Sequence, residues 1–153
     1  MFIAVCECFV TVTHALLPRS STCWTGRELE EWLANIDMRA FAAGAGTNVR
    51  FHPGNLVFKE GDQAGSMYVI QSGTVEILLG DKVVSVCGPN EAIGFMSVID
   101  GEHRTSTARV RDEAELSIID QKKFRFMVDE VPNFALYVMD AMARRIRGLT
   151  AAI

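Results

Sequence analysis

Between residues 53 and 101, turn-forming residues recur at short intervals: Pro53-Gly54, Gly61-Asp62, Gly65, Gly73, Gly80-Asp81, Gly88-Pro89 and Gly101. Helices of ordinary length do not fit between them, because glycine costs about 1 kcal/mol in a helix interior and proline about 3. The runs in between are rich in β-branched and aromatic residues and read with a period of two. They cover 48–51, 56–58, 67–71, 74–79 and 83–86, with 105–111 and 114–119 following. Short strands at such spacing must bury their apolar faces against one another. The pattern therefore predicts an antiparallel β-roll, a double-sheeted jelly roll closed around its own core.

Helical signals flank this stretch. Thr25 and Glu28 form a capping box ahead of Leu29, Trp32, Leu33 and Ile36, which predicts an amphipathic helix ending near Ala43-Gly44. After the last strand, Asp120 is placed to cap a helix over 121–130, Val131-Pro132 breaks it, and Asn133 starts a longer helix reaching Arg147-Gly148. Phe134, Val138, Ala141, Met142 and Ile146 recur at three- and four-residue steps along it, and Arg144, Arg145 and Arg147 suit its C-terminal end. The expected fold class is mainly β with flanking helices: an N-terminal helix, the roll and two C-terminal helices. Residues 28–153 form the expected domain and 1–27 an N-terminal extension. That extension is either an added strand or helix over the domain or upstream translated sequence, with Met38 as an internal start.

Of 153 residues, 49% are hydrophobic and 22% charged, enough for one domain with a real core. Charge is unevenly spread. Residues 46–120 carry six Lys/Arg against eleven Asp/Glu, while 121–153 carry six against three. An acidic body disfavours nucleic acid, whose binding rests on neutralising phosphates. Cys6, Cys8, Cys23 and Cys87 lack metal-ligand spacing, and His14, His52 and His103 are scattered, so no metal site and reduced, cytoplasmic thiols are expected. The apolar start is interrupted by Glu7 and His14 and lacks a positive flank, which predicts neither signal peptide nor membrane anchor. No nucleophile has a recognisable base partner and no phosphate-cradling GxxxxGK[ST] loop occurs, so an enzyme is not expected.

Residues 92–110, AIGFMSVIDGEHRTSTARV, set Gly94, a short apolar turn and Arg104 in an order suited to an anion. A glycine turn opens a helix with free N–H groups, and an arginine ten residues on returns along a strand to fork the same anion. Three ordered motifs give the chain a resemblance to the cyclic nucleotide-binding domain family over about residues 28–149. They are Phe51-x-Pro-Gly-x-x-Val-Phe-x-Glu-Gly-Asp62, Tyr68-Val-Ile-x-Ser-Gly73-x-Val75, and this cassette.

The resemblance implies a cyclic phosphate held by Gly94, Phe95, Met96, Arg104 and Thr105, with Thr105 and Ser106 toward the base, and cyclic AMP or cyclic GMP as ligand. Thr105 follows the arginine as in some members that prefer cyclic GMP. Phe95 stands where the family has a glutamate that accepts the ribose 2′-hydroxyl, and His103 replaces its usual proline. A phenyl ring accepts no hydrogen bond, and an unpaired hydroxyl costs about 1–3 kcal/mol, roughly tenfold to a hundredfold in affinity. Phe95 then either occupies the place of the sugar or belongs to the core. Arg104 likewise reads as a ligand contact or as a salt-bridge partner of Glu91, Asp100 or Glu102.

In the family the last helix is both lid and dimer contact, which implies a homodimer through residues 133–149. No segment after Ile153 supplies a helix-turn-helix, so direct DNA binding is not expected. The expected function is a stand-alone regulatory sensor. Ligand docking on the cassette is signalled through the C-terminal helices to an effector protein the sequence does not name. The other reading is a ligand-free interaction or dimerisation module.

Overall fold

The computed structural model describes residues 37–131 and 133–151. Helix α1 (Met38–Ala45) precedes β1 (Thr47–Phe51), β2 (Leu56–Phe58), β3 (Ser66–Ser72), β4 (Val75–Leu79), β5 (Lys82–Cys87) and β6 (Ala92–Ile93). A short helix α2 (Met96–Asp100), β7 (Thr107–Val110), β8 (Ala114–Asp120), α3 (Gln121–Glu130) and α4 (Phe134–Ala151) complete the order. One sheet runs β1-β8-β3-β6 and the other β2-β7-β4-β5, with antiparallel pairing throughout. The roll anticipated from glycine spacing is the fold that forms. β6 escaped the period-two reading because it has two residues, both buried.

The pleat assigns the core. In β3, Tyr68 and Ile70 point between the sheets toward Ile77, Val110 and Leu116, while Met67 and Val69 point to the other face, under the helices. β8 divides the same way, Leu116 inward and Ile119 toward the helices. A sheet covered on both faces needs apolar residues at successive positions, which is why 67–70 reads as one apolar run. The second sheet has a solvated outer face, and Val83, Val84 and Val86 of β5 are exposed there. Gly73 joins β3 to β4 with φ at 85°, where a Cβ would sit 2.3 Å from the Glu113 carbonyl oxygen. No other residue fits that corner.

Asp120 caps α3 as expected, its carboxylate accepting from Lys123 N–H at 2.8 Å. Asn133 turns the chain with φ at 72° into α4. Phe124 of α3 and Phe134 of α4 meet edge to face at 5.5 Å, and this contact seats α4 on the roll.

The helices depart from expectation at three points. The helix predicted from Thr25 to Ala43-Gly44 does not run through Asp37, whose ψ of 86° lies outside the helical range and whose side chain caps α1 by accepting from the N–H groups of Arg39 and Ala40. The capping box and residues 28–36 lie outside the described residues, as do the extension 1–27 and Cys6, Cys8, Cys23 and His14. Ile146, grouped by period with Phe134, Val138, Ala141 and Met142, does not share their face and is 64% exposed; the buried residues of α4 are Phe134 and Val138, with Tyr137, Ala141 and Met142 half-buried beside them. The helix also runs through Gly148 to Ala151, since one glycine costs only about 1 kcal/mol. Among the described residues, no helix is long and apolar enough to cross a membrane.

Phe134→Ala should cost about 3–5 kcal/mol in urea unfolding, since it empties a wholly buried site at the α3–α4 corner. A loss under 1 kcal/mol would mean that α4 is seated by other contacts.

Candidate functional site

The cassette residues converge on a small pocket bounded by β2, the turn from β6 into α2, the approach to β7, and α4. Phe58, Gly94, Phe95, Met96, Ser97, Arg104, Thr105, Ser106 and Arg145 line it. Its volume is about 10 Å³, the space of one water. No Asp or Glu stands in the lining.

Arg104 is the centre of the site. It is 5% exposed, yet no carboxylate lies within salt-bridge distance among the described residues. The expected alternative of an ion pair with Glu91, Asp100 or Glu102 is therefore overturned. Its guanidinium instead donates to the carbonyl oxygens of Gly94 and Ser66, each at 2.5 Å, and lies 4.3 Å from the centroid of the Phe58 ring. These contacts satisfy the two terminal nitrogens and leave Nε–H buried without an acceptor. An unmet buried donor costs about 1–3 kcal/mol. Burial draws the Arg104 pKa below the ordinary guanidinium value, opposed by Tyr68 and Asp62, and the group stays cationic.

The glycine motifs explain how the backbone holds this side chain in place. Lys59 N–H donates to the Asp62 carboxylate at 2.9 Å and Asp62 N–H to the Lys59 carbonyl at 3.1 Å, closing the turn after β2. From that turn, Gly61 N–H donates to Arg104 O and Arg104 N–H to Asp62 O, at 2.8 and 2.9 Å. Gly94, at φ 74°, turns its carbonyl to Arg104, and a Cβ there would sit 2.7 Å from Nη1 and 3.0 Å from the Phe58 ring.

Phe95 packs into the core and also lines the pocket. It is 4% exposed and packs in the cluster that holds Val98, Phe134 and Val138. It also stands at the N-cap of α2, where its side chain makes no capping hydrogen bond. Met96 and Thr105 are exposed at the mouth, while Ser97 and Ser106 are buried. His103 touches the site through its carbonyl, which accepts weakly from Ser97 Oγ at 3.4 Å.

Sequence reasoning missed Arg145, which it read only as a charge near a helix end. Arg145 reaches from α4 across the pocket, Nη2 lying 3.4 Å from Ser106 Oγ, and brings a second guanidinium to the lining. The one available signal was an arginine among apolar positions, three residues after Met142. Tyr137, one turn into α4, donates its hydroxyl to Asn90 O at 3.0 Å and accepts from Ala92 N–H at 3.1 Å. Burial chiefly pushes this phenol up to about 12. Hydrogen bonds thus tie α4 both to the pocket and to the strand before the cassette.

Residues 48–131 match the family model described as the cyclic nucleotide-binding domain. The chain belongs to that family. It is similar to a CRP-like cAMP-activated global transcriptional regulator of Mycobacterium tuberculosis, 29% identical over 104 residues that make up 65% of this chain and 46% of the regulator. The chain thus spans about half the length of that relative. Among solved structures it resembles the Thermus thermophilus catabolite activator protein, with a TM-score of 0.66, 24% identity, and coverage of 74% of this chain and 55% of the other. It also resembles PKAR CBD2 bound to Sp-2Cl-cAMPS, with a TM-score of 0.62, 15% identity, and coverage of 78% and 84%. At such identities these two likenesses speak for the fold alone.

Gly94→Ala should destabilise by about 1–2 kcal/mol in urea unfolding, because it adds a Cβ at positive φ against Arg104 and Phe58. A neutral effect would mean that the turn and the guanidinium are not locked together.

Proposed function

We propose that this domain is a regulatory sensor whose pocket takes a cyclic nucleotide, with the phosphate on Arg104 and the signal carried by α4. The observation that carries this reading is a buried guanidinium with an orphaned Nε–H and no carboxylate partner, lining a pocket with a second arginine. A group desolvated to this degree with no carboxylate in contact is complementary to an anion. Family membership and the cAMP-activated relative support a cyclic phosphate as that anion. Arg104 exchanges two carbonyls for phosphate oxygens, Gly94 and the backbone of Phe95 and Met96 wall the phosphate, and Thr105 and Ser106 face the base.

Since the pocket now holds about one water, docking requires α4 to lift Arg145 from Ser106. Phe95 and Val98 share a packed cluster with Phe134 and Val138, so displacement of the cassette is felt by α4. The outer face of α4 bears Leu136, Met139, Ile146 and Leu149, each more than 40% exposed, at coiled-coil-like steps. That face, rather than the buried one, is the proposed homodimer contact within residues 133–149. It also favours a second reading, a dimerisation module that holds its pocket closed with Arg104 and binds no ligand.

Cyclic AMP or cyclic GMP at a hundred times its Kd should stabilise the domain by about 2.7 kcal/mol and raise Tm by several degrees. Arg104→Ala should lose that shift, and Arg104→Lys should keep only part of it, as a point charge without the guanidinium fork. Absence of a shift with either nucleotide at millimolar concentration rejects the sensor and leaves the second reading. Ile146→Glu should halve the mass measured by sedimentation while leaving the unfolding midpoint of the monomer nearly unchanged. A wild-type chain that sediments as a monomer would reject the dimer face.

A further inference from the structure

Resting on the reading in which docking lifts Arg145 from Ser106, the structure assigns Tyr137 as a latch. It is a positioning residue outside the pocket, whose hydroxyl holds α4 closed and thereby sets how tightly a cyclic nucleotide is bound. Tyr137 does not line the pocket, so a ligand there gains or loses nothing by touching it. Its hydroxyl donates to Asn90 O at 3.0 Å and accepts from Ala92 N–H at 3.1 Å. One oxygen therefore fastens α4 to β6, the strand that ends one residue before Gly94.

The leverage of α4 makes that hydroxyl let go when the pocket opens. The helix is unbroken over Phe134–Ala151, and its foot is fixed by Phe134, wholly buried and packed edge to face on Phe124. Beyond Val138 no residue of α4 is fully buried, and Arg145 rests on Ser106 at 3.4 Å. With a rise of about 1.5 Å per residue, Tyr137 stands about 4.5 Å and Arg145 about 16 Å along the axis from Phe134. A single layer of ligand atoms set between Arg145 and Ser106 parts them by about 3.5–4 Å. A rigid swing about Phe134 then carries Tyr137 by about 1 Å and stretches both of its bonds to about 4 Å, beyond hydrogen-bond reach. The closed pocket thus keeps two hydrogen bonds that the open one lacks. Apparent affinity is reduced by the fraction of molecules that are open, and the latch keeps that fraction small.

Tyr137→Phe removes the oxygen and leaves the ring in place. Calorimetric titration of wild type and variant with cyclic AMP and with cyclic GMP should give the variant a Kd about five- to a hundredfold lower, as the loss of two hydrogen bonds from the closed state implies. The same variant, free of ligand, should unfold at a lower urea concentration than wild type. A merely structural role would weaken binding and stability together, whereas a latch moves them in opposite directions. The gain should lie in the association rate, measured by surface plasmon resonance on the immobilised chain, because the latch acts on the free protein. A variant that binds where the wild type does not would show the same latch holding harder. An unchanged or higher Kd, or a gain confined to the dissociation rate, would overturn the latch while leaving the sensor function standing. Failure of both chains to bind either nucleotide at millimolar concentration would overturn the two together.

Discussion

A guanidinium buried without a carboxylate in contact is the interaction on which the rest of this site depends. Arg104 holds its charge inside the domain against two main-chain carbonyls and a phenyl face, with Asp62 acting on it from beyond contact. Each of those partners imposes a requirement nearby. Gly94 must adopt positive φ and lack a side chain, Ser66 must begin β3 beside it, and Phe58 must close β2. The turn at Gly61-Asp62 then grips the backbone of Arg104 from the other side. The sequence motifs that look like separate signatures are three supports of one cation.

Those supports satisfy Arg104 incompletely, and the deficit defines what the pocket can do. Carbonyls at 2.5 Å neutralise no charge, and Nε–H has no acceptor. An anion would offer both a charge and further acceptors, and Arg145 adds a second donor fork from a helix that also holds the strand before the cassette through Tyr137. One helix is thereby wall, latch and, in the proposed function, transmitter. Phe95 fits this division of labour, because it gives up any polar contact with a ligand and packs beside Phe134 and Val138 instead.

Much of the fold was legible because its determinants are local. Glycines at corners and alternation within strands fix where a chain turns and which face it buries, and Asp120 announces α3 by a side-chain cap. β6 was not legible, since two buried residues carry no alternation. The cap at Asp37 was not foreseen, because it sits inside the apolar-periodic stretch that follows Thr25. Gly94 and Arg104, singled out by their spacing, and Ser106, implied by the family resemblance, line one pocket, but the partners of Arg104 were not foreseen, because main-chain carbonyls leave no mark in a sequence. Arg145 and the two faces of α4 depend on how that helix rotates against the roll. Its periodicity alone could not tell the stripe containing Val138 from the one containing Ile146.

The central claim is that the orphaned side of Arg104 is an anion receptor, and its Nε–H reports on that directly. In a ¹⁵N-labelled chain, the Arg104 Nε–Hε resonance, assigned by its loss in Arg104→Lys, should move downfield and exchange more slowly with water as cyclic AMP is added to saturation. A resonance that stays in place while the chain becomes saturated with nucleotide would contradict the account, since the ligand would then be held elsewhere.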